Sequence, residues 1–228
     1  MYLNNVLLTE LVIPEDITEI KNYTFRGTCL KKVTIHDNVT SIGNSSFGGC
    51  ILDEITFGKN ITSIGSSIYD SCKKLHIPNL EWLFNINYYS NHELYSYKGE
   101  TIYIDNQPIN DIVIPESVTK INDHIFKNNN HITSINMHNE VTTIGKYSFY
   151  GMSVLNSVTI GNKVTHIGNY AFAYDKALTS ISIPSSVIEI GDNAFYDVTS
   201  LESVHITDLE AWLRITFGYY TANPVYNY

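Results

Sequence analysis

Basic charge is scarce in this chain: 14 lysines and arginines stand against 23 aspartates and glutamates in 228 residues, a formal net charge of −9. Such a balance gives no broad footprint for a phosphate backbone or an anionic bilayer, so no nucleic-acid partner is expected. Long apolar runs are missing too. None approaches the roughly 20 residues that span a hydrocarbon core, and membrane insertion is not expected. The opening "MYLNNVLLTE" lacks a basic n-region and a clean apolar h-region and does not read as a signal peptide. Any export route must be encoded elsewhere or have been trimmed away. Three cysteines leave the redox compartment undecided. Eight histidines are present, none in a ligand spacing such as H-E-x-x-H, and no G-x-S-x-G elbow is there to hold a nucleophile. The expectation is a chain with no catalytic residue, no metal and no cofactor.

What the chain does have is self-similarity. "LTSISIPSSVIEIGDNAFYDVTS" from Leu178 restates "LNSVTIGNKVTHIGNYAFAYDKA" from Leu155, and further copies start at Leu8, Leu30, Leu52, Ile109 and Ile132. Their spacing is 22 or 23 residues wherever they follow one another directly. One slot reads Ile20, Ile42, Ile64, Ile121, Ile144, Ile167 and Ile190; another reads Phe25, Phe47, Tyr69, Phe126, Phe149, Phe172 and Phe195. In Leu178, Ile181 and Ile183 the last two apolar residues alternate with serines, the period-two mark of a half-buried strand. Proline at 14, 78, 115 and 184 suits a turn after it. Glycine at 43, 65, 145, 168 and 191 is expected to serve a positive φ, which Asn122 tolerates and Lys21 adopts at a cost. The x-A-F segment is expected to make a single helical turn with its aromatic pointing inward, so Phe47, Phe149, Phe172 and Phe195 are structural. One such unit cannot cover its own apolar side chains; stacked coils with parallel strands about 4.8 Å apart can.

The phrase L-x-x-I-x-I-P-x-x-V-x-x-I-G-x-x-A-F resembles the repeat of BspA-like leucine-rich repeat proteins of bacterial surfaces, and the likeness covers nearly the whole chain. The fold class expected is therefore an α/β repeat solenoid: a right-handed leucine-rich-repeat coil stack with a parallel β ladder and short helical turns. The resemblance also implies a cell-surface location and adhesion.

Two segments break the rhythm. "NLEWLFNINYY" from Asn79 and "DLEAWLRITFGYY" from Asp208 each follow a His-Ile pair, and each reads as a short capped helix anchored over the core by Trp82 or Trp212. A tyrosine-rich strand pair is expected after each. "IYIDNQPINDIVIPESVTKI" from Ile102 then matches "MYLNNVLLTELVIPEDITEI" at the start of the chain, at an offset of 101. The expected organisation is one solenoid over 1–228, with coils 1–78, an insert 79–101, coils 102–207 and an insert 208–228. It reads as an excerpt of a longer array whose ends invite end-to-end self-association.

Two faces are candidates for binding. The outward strand positions Thr34, Thr56, Asn136, Thr159, Ser182 and His205 form a small polar ladder, although Ser and Thr also simply suit an exposed strand. Tyr23, Tyr147 and Tyr170 share a slot, with Tyr150 and Tyr196 nearby; exposed tyrosine anchors protein or carbohydrate ligands, while packing between coils is the plainer use. Together these readings point to a non-enzymatic interaction module with a protein or glycoprotein ligand on a host or neighbouring cell. The alternatives are a structural spacer, or a repeat region attached to a catalytic domain outside this chain.

Overall fold

The structure, a computed structural model, describes residues 1–3, 5–88 and 100–227. They fall into two compact units, Met1–Pro108 and Ile109–Tyr228. Each unit is a leucine-rich-repeat solenoid whose coils lay down two parallel ladders.

In the first unit one ladder runs through Glu10–Val12, Lys32–Thr34, Phe47–Thr56, Tyr69–His76 and Thr101–Ile104, all paired in parallel. The antiparallel strand Gln107–Pro108 closes its edge. In register the central residues are Leu11, Val33, Ile55, Leu75 and Ile102, and the last four are fully buried. A second ladder joins Glu19–Ile20, Ser41–Ile42, Ser63–Ile64 and Asn87–Tyr88. The second unit repeats the plan. Asp111–Val113, Ser134–Asn136 and Ser157–Thr159 form one sheet, with Ser180–Ile183 paired to Ser203–Ile206 beyond it. Its other ladder runs through Lys120–Ile121, Thr143–Ile144, His166–Ile167, Glu189–Ile190 and Thr216–Phe217. Between the ladders lies the core. Ile42, Ile64, Ile144, Ile167 and Ile190 are all at most 1 % exposed, each side chain contributing about 1.5–3 kcal/mol of burial. Phe47, Phe149, Phe172 and Phe195 are buried as well, stacked coil on coil at 5.1–6.1 Å in the second unit.

Four local expectations are corrected. Gly43, Gly65, Gly145, Gly168 and Gly191 do not sit at positive φ. A Cβ there would lie 2.3–2.7 Å from an atom of the preceding coil, so glycine is needed for close approach. Lys21 is not at positive φ either, and among the described residues no coil stands behind it. Left-handed backbone falls two residues later, at Ser45, Ser67, Tyr147, Tyr170 and Asn193, and again at Gly49, Gly151, Tyr174 and Asp197.

The aromatic segment is a run of turns, not a helical turn. Tyr147, Phe149 and Gly151 donate their N–H groups to the carbonyls of Asn169, Ala171 and Ala173 of the next coil, so every second donor is used between coils. Cys72 pairs with Leu52, not with Cys50: Phe47 pairs with Tyr69, four residues separate Phe47 from Leu52 but only two separate Tyr69 from Cys72, and the register shifts between Phe47 and Ile51. Cys50 and Cys72 are buried free thiols, whereas Cys29 is exposed.

Finally, the Trp-bearing inserts do not interrupt the solenoid. Each has a short helix, α1 (Leu80–Asn85) or α2 (Leu209–Leu213), capped by Asn79 or Asp208. The chain then rejoins the second ladder at Asn87–Tyr88 or Thr216–Phe217. Gly218 even fills the glycine slot, where a Cβ would meet the Asp192 carboxylate at 2.3 Å. The tyrosine-rich segment after α2 forms two 3-10 turns, Tyr220–Ala222 and Pro224–Asn227, instead of a strand. Its counterpart after α1 lies, from Tyr89 to Lys98, outside the described residues.

Candidate binding face

The two left-handed positions of each turn project side chains from the same edge of the coil stack. In the second unit that edge is aromatic. His124, Tyr147 and Tyr170 occupy one slot in three successive coils and stack face to face at 5.0 and 4.8 Å, with interplanar angles of 11° and 5°. Beside them Tyr150 meets Tyr174 edge-on at 5.1 Å, and Tyr174 meets Tyr196 edge-on at 5.5 Å. The Lys127 ammonium lies over Tyr147 and Tyr150 at 5.3 and 5.7 Å, so the cluster carries one cation–π contact pair. Four of the five tyrosines are half-buried and Tyr196 is exposed.

Tyrosine is an expensive choice at φ of 55°, 57° and 66°, where the neighbouring slots hold Asn193, Gly151 and Asp197. Stacking offsets part of the cost, at about 0.5–1.5 kcal/mol per aromatic pair. It leaves the ring edges and hydroxyls facing outward. Among the described residues no protein group hydrogen-bonds the hydroxyls of Tyr147, Tyr150, Tyr170, Tyr174 or Tyr196. Burial, and after it the neighbouring phenols, push Tyr147, Tyr150 and Tyr174 above the ordinary phenol range. All three therefore remain neutral donors at any physiological pH.

The array unites Tyr147, Tyr150, Tyr170 and Tyr196 from the sequence reading. Tyr23 is apart from them in the first unit, where Ser45 and Ser67 follow it in the slot and Arg26 lies 5.6 Å over its ring. Sequence reasoning missed Tyr174 and His124. Tyr174 belongs to the second left-handed slot, which glycine fills in other coils, and only the spacing Gly27, Gly151, Tyr174 could have revealed it.

The polar ladder is split. Thr34 and Thr56 align with His76 and Tyr103 in the first unit; Asn136 aligns with Thr159, and Ser182 with His205, in the second. The flanking slot of the first unit alternates in charge, Glu10, Lys32, Glu54 and Lys74, with Lys32 and Glu54 paired at 3.0 Å.

His36, His138 and His76 have structural work. His36 and His138 bond from Nε2 to the carbonyls of Pro14 and Pro115, and the N–H groups of Asn38 and Glu140 donate to their Nδ1 atoms. His76 stacks on Tyr103 at 4.7 Å beside a cleft of about 300 Å³. Burial holds its imidazole below the usual range, against the pull of Glu54 at 3.6 Å, and keeps it neutral. Among the described residues no group of three or more His, Cys, Asp or Glu could hold a metal, and no helix is long and apolar enough to cross a membrane.

The family model for the BspA type leucine-rich repeat region matches residues 1–108 and 99–218, with six copies. This chain belongs to the BspA-type leucine-rich repeat family. Among solved structures, the pneumococcal vaccine antigen PcpA is similar with a TM-score of 0.58 and 15 % identity, over 87 % of this chain and 62 % of that one. At that identity the likeness speaks for the repeat fold alone. A leucine-rich cell surface protein from Faecalibacterium prausnitzii has 16 % identity and a TM-score of 0.49, covering 92 % and 90 % of the two chains. A leucine-rich repeat protein from Bacteroides ovatus has 20 % and 0.44, covering 95 % and 77 %. No curated protein matches the chain. Within a BspA-type repeat the Ile, Phe and Gly slots are scaffold, so the tyrosines at the left-handed slots stand out as residues the fold itself does not require.

Proposed function

We propose that this chain is a non-enzymatic adhesion module of a bacterial cell surface that binds a protein or glycoprotein ligand through the tyrosine array of its second unit. Membership of the BspA-type family supports the surface location and the interaction role. The observation that carries the choice of face is the set of five tyrosine hydroxyls without protein partners among the described residues, three of them on rings held at strained left-handed backbone. Rigid phenols ordered before binding lose little entropy on binding, which suits an anchor. The strand ladder of Thr34, Thr56, Asn136, Thr159, Ser182 and His205 is the lesser candidate, being polar but without a preorganised anchor.

The test replaces both Tyr147 and Tyr170 by Ser, the residue that Ser45 and Ser67 place in the same slot of the first unit. Binding of the purified chain to immobilised host-matrix glycoproteins is measured by surface plasmon resonance. The variant is expected to fold and to bind about tenfold or more weakly, as loss of an aromatic anchor does. Unchanged affinity would remove the array from the interface, and no binding to any matrix glycoprotein would remove the adhesion reading. The spacer reading has its own support in the mutual stacking of the rings; it expects the double variant to lose stability with no ligand to lose.

A further inference from the structure

The strand Thr101–Ile104 shows how a new segment seats on the free edge of a coil. It pairs in parallel with Tyr69–His76, setting Ile102 against Leu75 and Tyr103 against His76. The N–H of Ile77 donates to the Tyr103 carbonyl at 3.0 Å, and the Tyr103 ring stacks on the His76 imidazole at 4.7 Å and 17°. A tight hairpin then follows, with Tyr103 against Pro108 and Ile104 against Gln107.

Both halves of this junction occur again in the same chain. The receiving strand recurs 129 residues later, where Val204, His205 and Ile206 repeat Leu75, His76 and Ile77. The seating hairpin recurs 101 residues earlier, with Tyr2 against Leu7 and Leu3 against Val6, and its turn residue Asn5 at φ 65° matches Asn106 at 61°. Among the described residues neither half is engaged. Ser203–Ile206 ends its sheet with Ser180–Ile183 as its one partner, and Tyr2 is 70 % exposed. Each such strand donates the N–H of its last apolar residue to the next coil, as Ile13, Ile35, Phe57 and Ile77 do. The Ile206 N–H, in the same place, points outward from the edge.

We infer that copies of this chain join head to tail, the Tyr2–Leu7 hairpin of one copy adding to the Ser203–Ile206 edge of another. Tyr2 stacks on His205, Met1 lies against Val204, and the Ile206 N–H donates to the Tyr2 carbonyl. The occupant is a second copy because that hairpin already has the sequence, turn and register of the segment seen seated on the equivalent edge. The contact is heterologous, so association is open-ended and gives chains of copies, not a closed pair. It is independent of the ligand at the tyrosine array.

Sedimentation velocity over a concentration series tests this with the 228-residue chain. The unmodified chain is expected to grow beyond a dimer as concentration rises, with slowed hydrogen exchange at the Ile206 amide. Tyr2→Asp blocks the head and Ile206→Pro removes the donor of the tail without touching a bond inside the chain. Circular dichroism establishes that both fold. Each variant alone is expected to associate about tenfold or more weakly, and an equimolar mixture is expected to stop at a one-to-one pair. An unmodified chain that is monomeric throughout overturns the inference. So does a variant that associates as well as the unmodified chain, or a mixture that stays monomeric while the unmodified chain grows.

Discussion

Helices α1 and α2 begin from nearly the same words and end in opposite environments. Asn79 and Asp208 cap them alike, each accepting the N–H of the third residue onward, Trp82 or Ala211. Thereafter they part. Trp82 is buried, donates its Nε1–H to the Ile61 carbonyl at 2.9 Å and packs on Phe57, and Leu83 behind it is 0 % exposed. Leu213 is 76 % exposed, and Trp212 is only half-buried, meeting Phe217 edge-on at 5.5 Å. Ala211 moves the Trp-Leu pair one position along α2, about 100° around the helix axis. The ladder also continues past α1 to Thr101–Ile104, whereas Ser203–Ile206 is the last strand of its sheet. A phrase sets where a short helix starts; its phase and what stacks on it set whether it becomes core.

Breaking that contrast begins with the two leucines. Leu83→Ala is expected to cost about 2–5 kcal/mol in urea unfolding, as for other fully buried leucines, and Leu213→Ala less than about 0.5 kcal/mol. Equal losses would mean that burial does not separate the helices. The caps should behave alike, Asn79→Ala and Asp208→Ala each costing about 1 kcal/mol in the same assay.

The parts of this fold that could be read from the residues are those burial imposes on every coil. Ile42, Ile167 and Phe149 recur because each coil leaves the same hole, and the helix caps are short-range chemistry. What stayed hidden depends on neighbours. A recurring glycine looks the same whether φ or a backbone 2.7 Å away requires it, and Gly168 turned out to be the second case. Cys50 and Cys72 each stand three residues past their aromatic, yet in the ladder Cys72 falls opposite Leu52. The tyrosines were visible as a slot, but Tyr174 entered the array only through the second left-handed position.

A third contrast lies in one buried slot of the second unit, shared by Met152, Asp175 and Val198. Asp175 is fully buried; Oδ1 accepts the Met152 N–H at 2.9 Å and Oδ2 has no partner among the described residues. Burial outweighs that one hydrogen bond and raises the carboxyl well above its usual value of 3.8. A folded-state value above the unfolded one stabilises fully below about pH 3.9, and the gain is lost as pH rises through the folded value. Asp175→Asn is therefore expected to gain stability relative to the parent with rising pH, read as the difference between their unfolding midpoints. A difference that is flat with pH would place the carboxylate in a solvated or paired site.

The smallest effect separates the thiols. Native alkylation is expected to label Cys29 alone, since burial pushes Cys72 up to about 12 and Cys50 is also enclosed. Fast labelling of Cys72 would mean that the strand Tyr69–His76 opens.

The claim beneath all of these contrasts is that neighbouring coils share one tightly closed interior, so that identical slots differ only by what stands behind them. Urea unfolding of Gly168→Ala beside Lys21→Ala tests it most directly. Gly168→Ala must push a methyl into the backbone of Gly145 and is expected to cost about 1–3 kcal/mol or more, while Lys21→Ala, with no coil behind it among the described residues, changes stability by less than about 0.5 kcal/mol. Equal and small losses at both positions would contradict the close stacking of the coils.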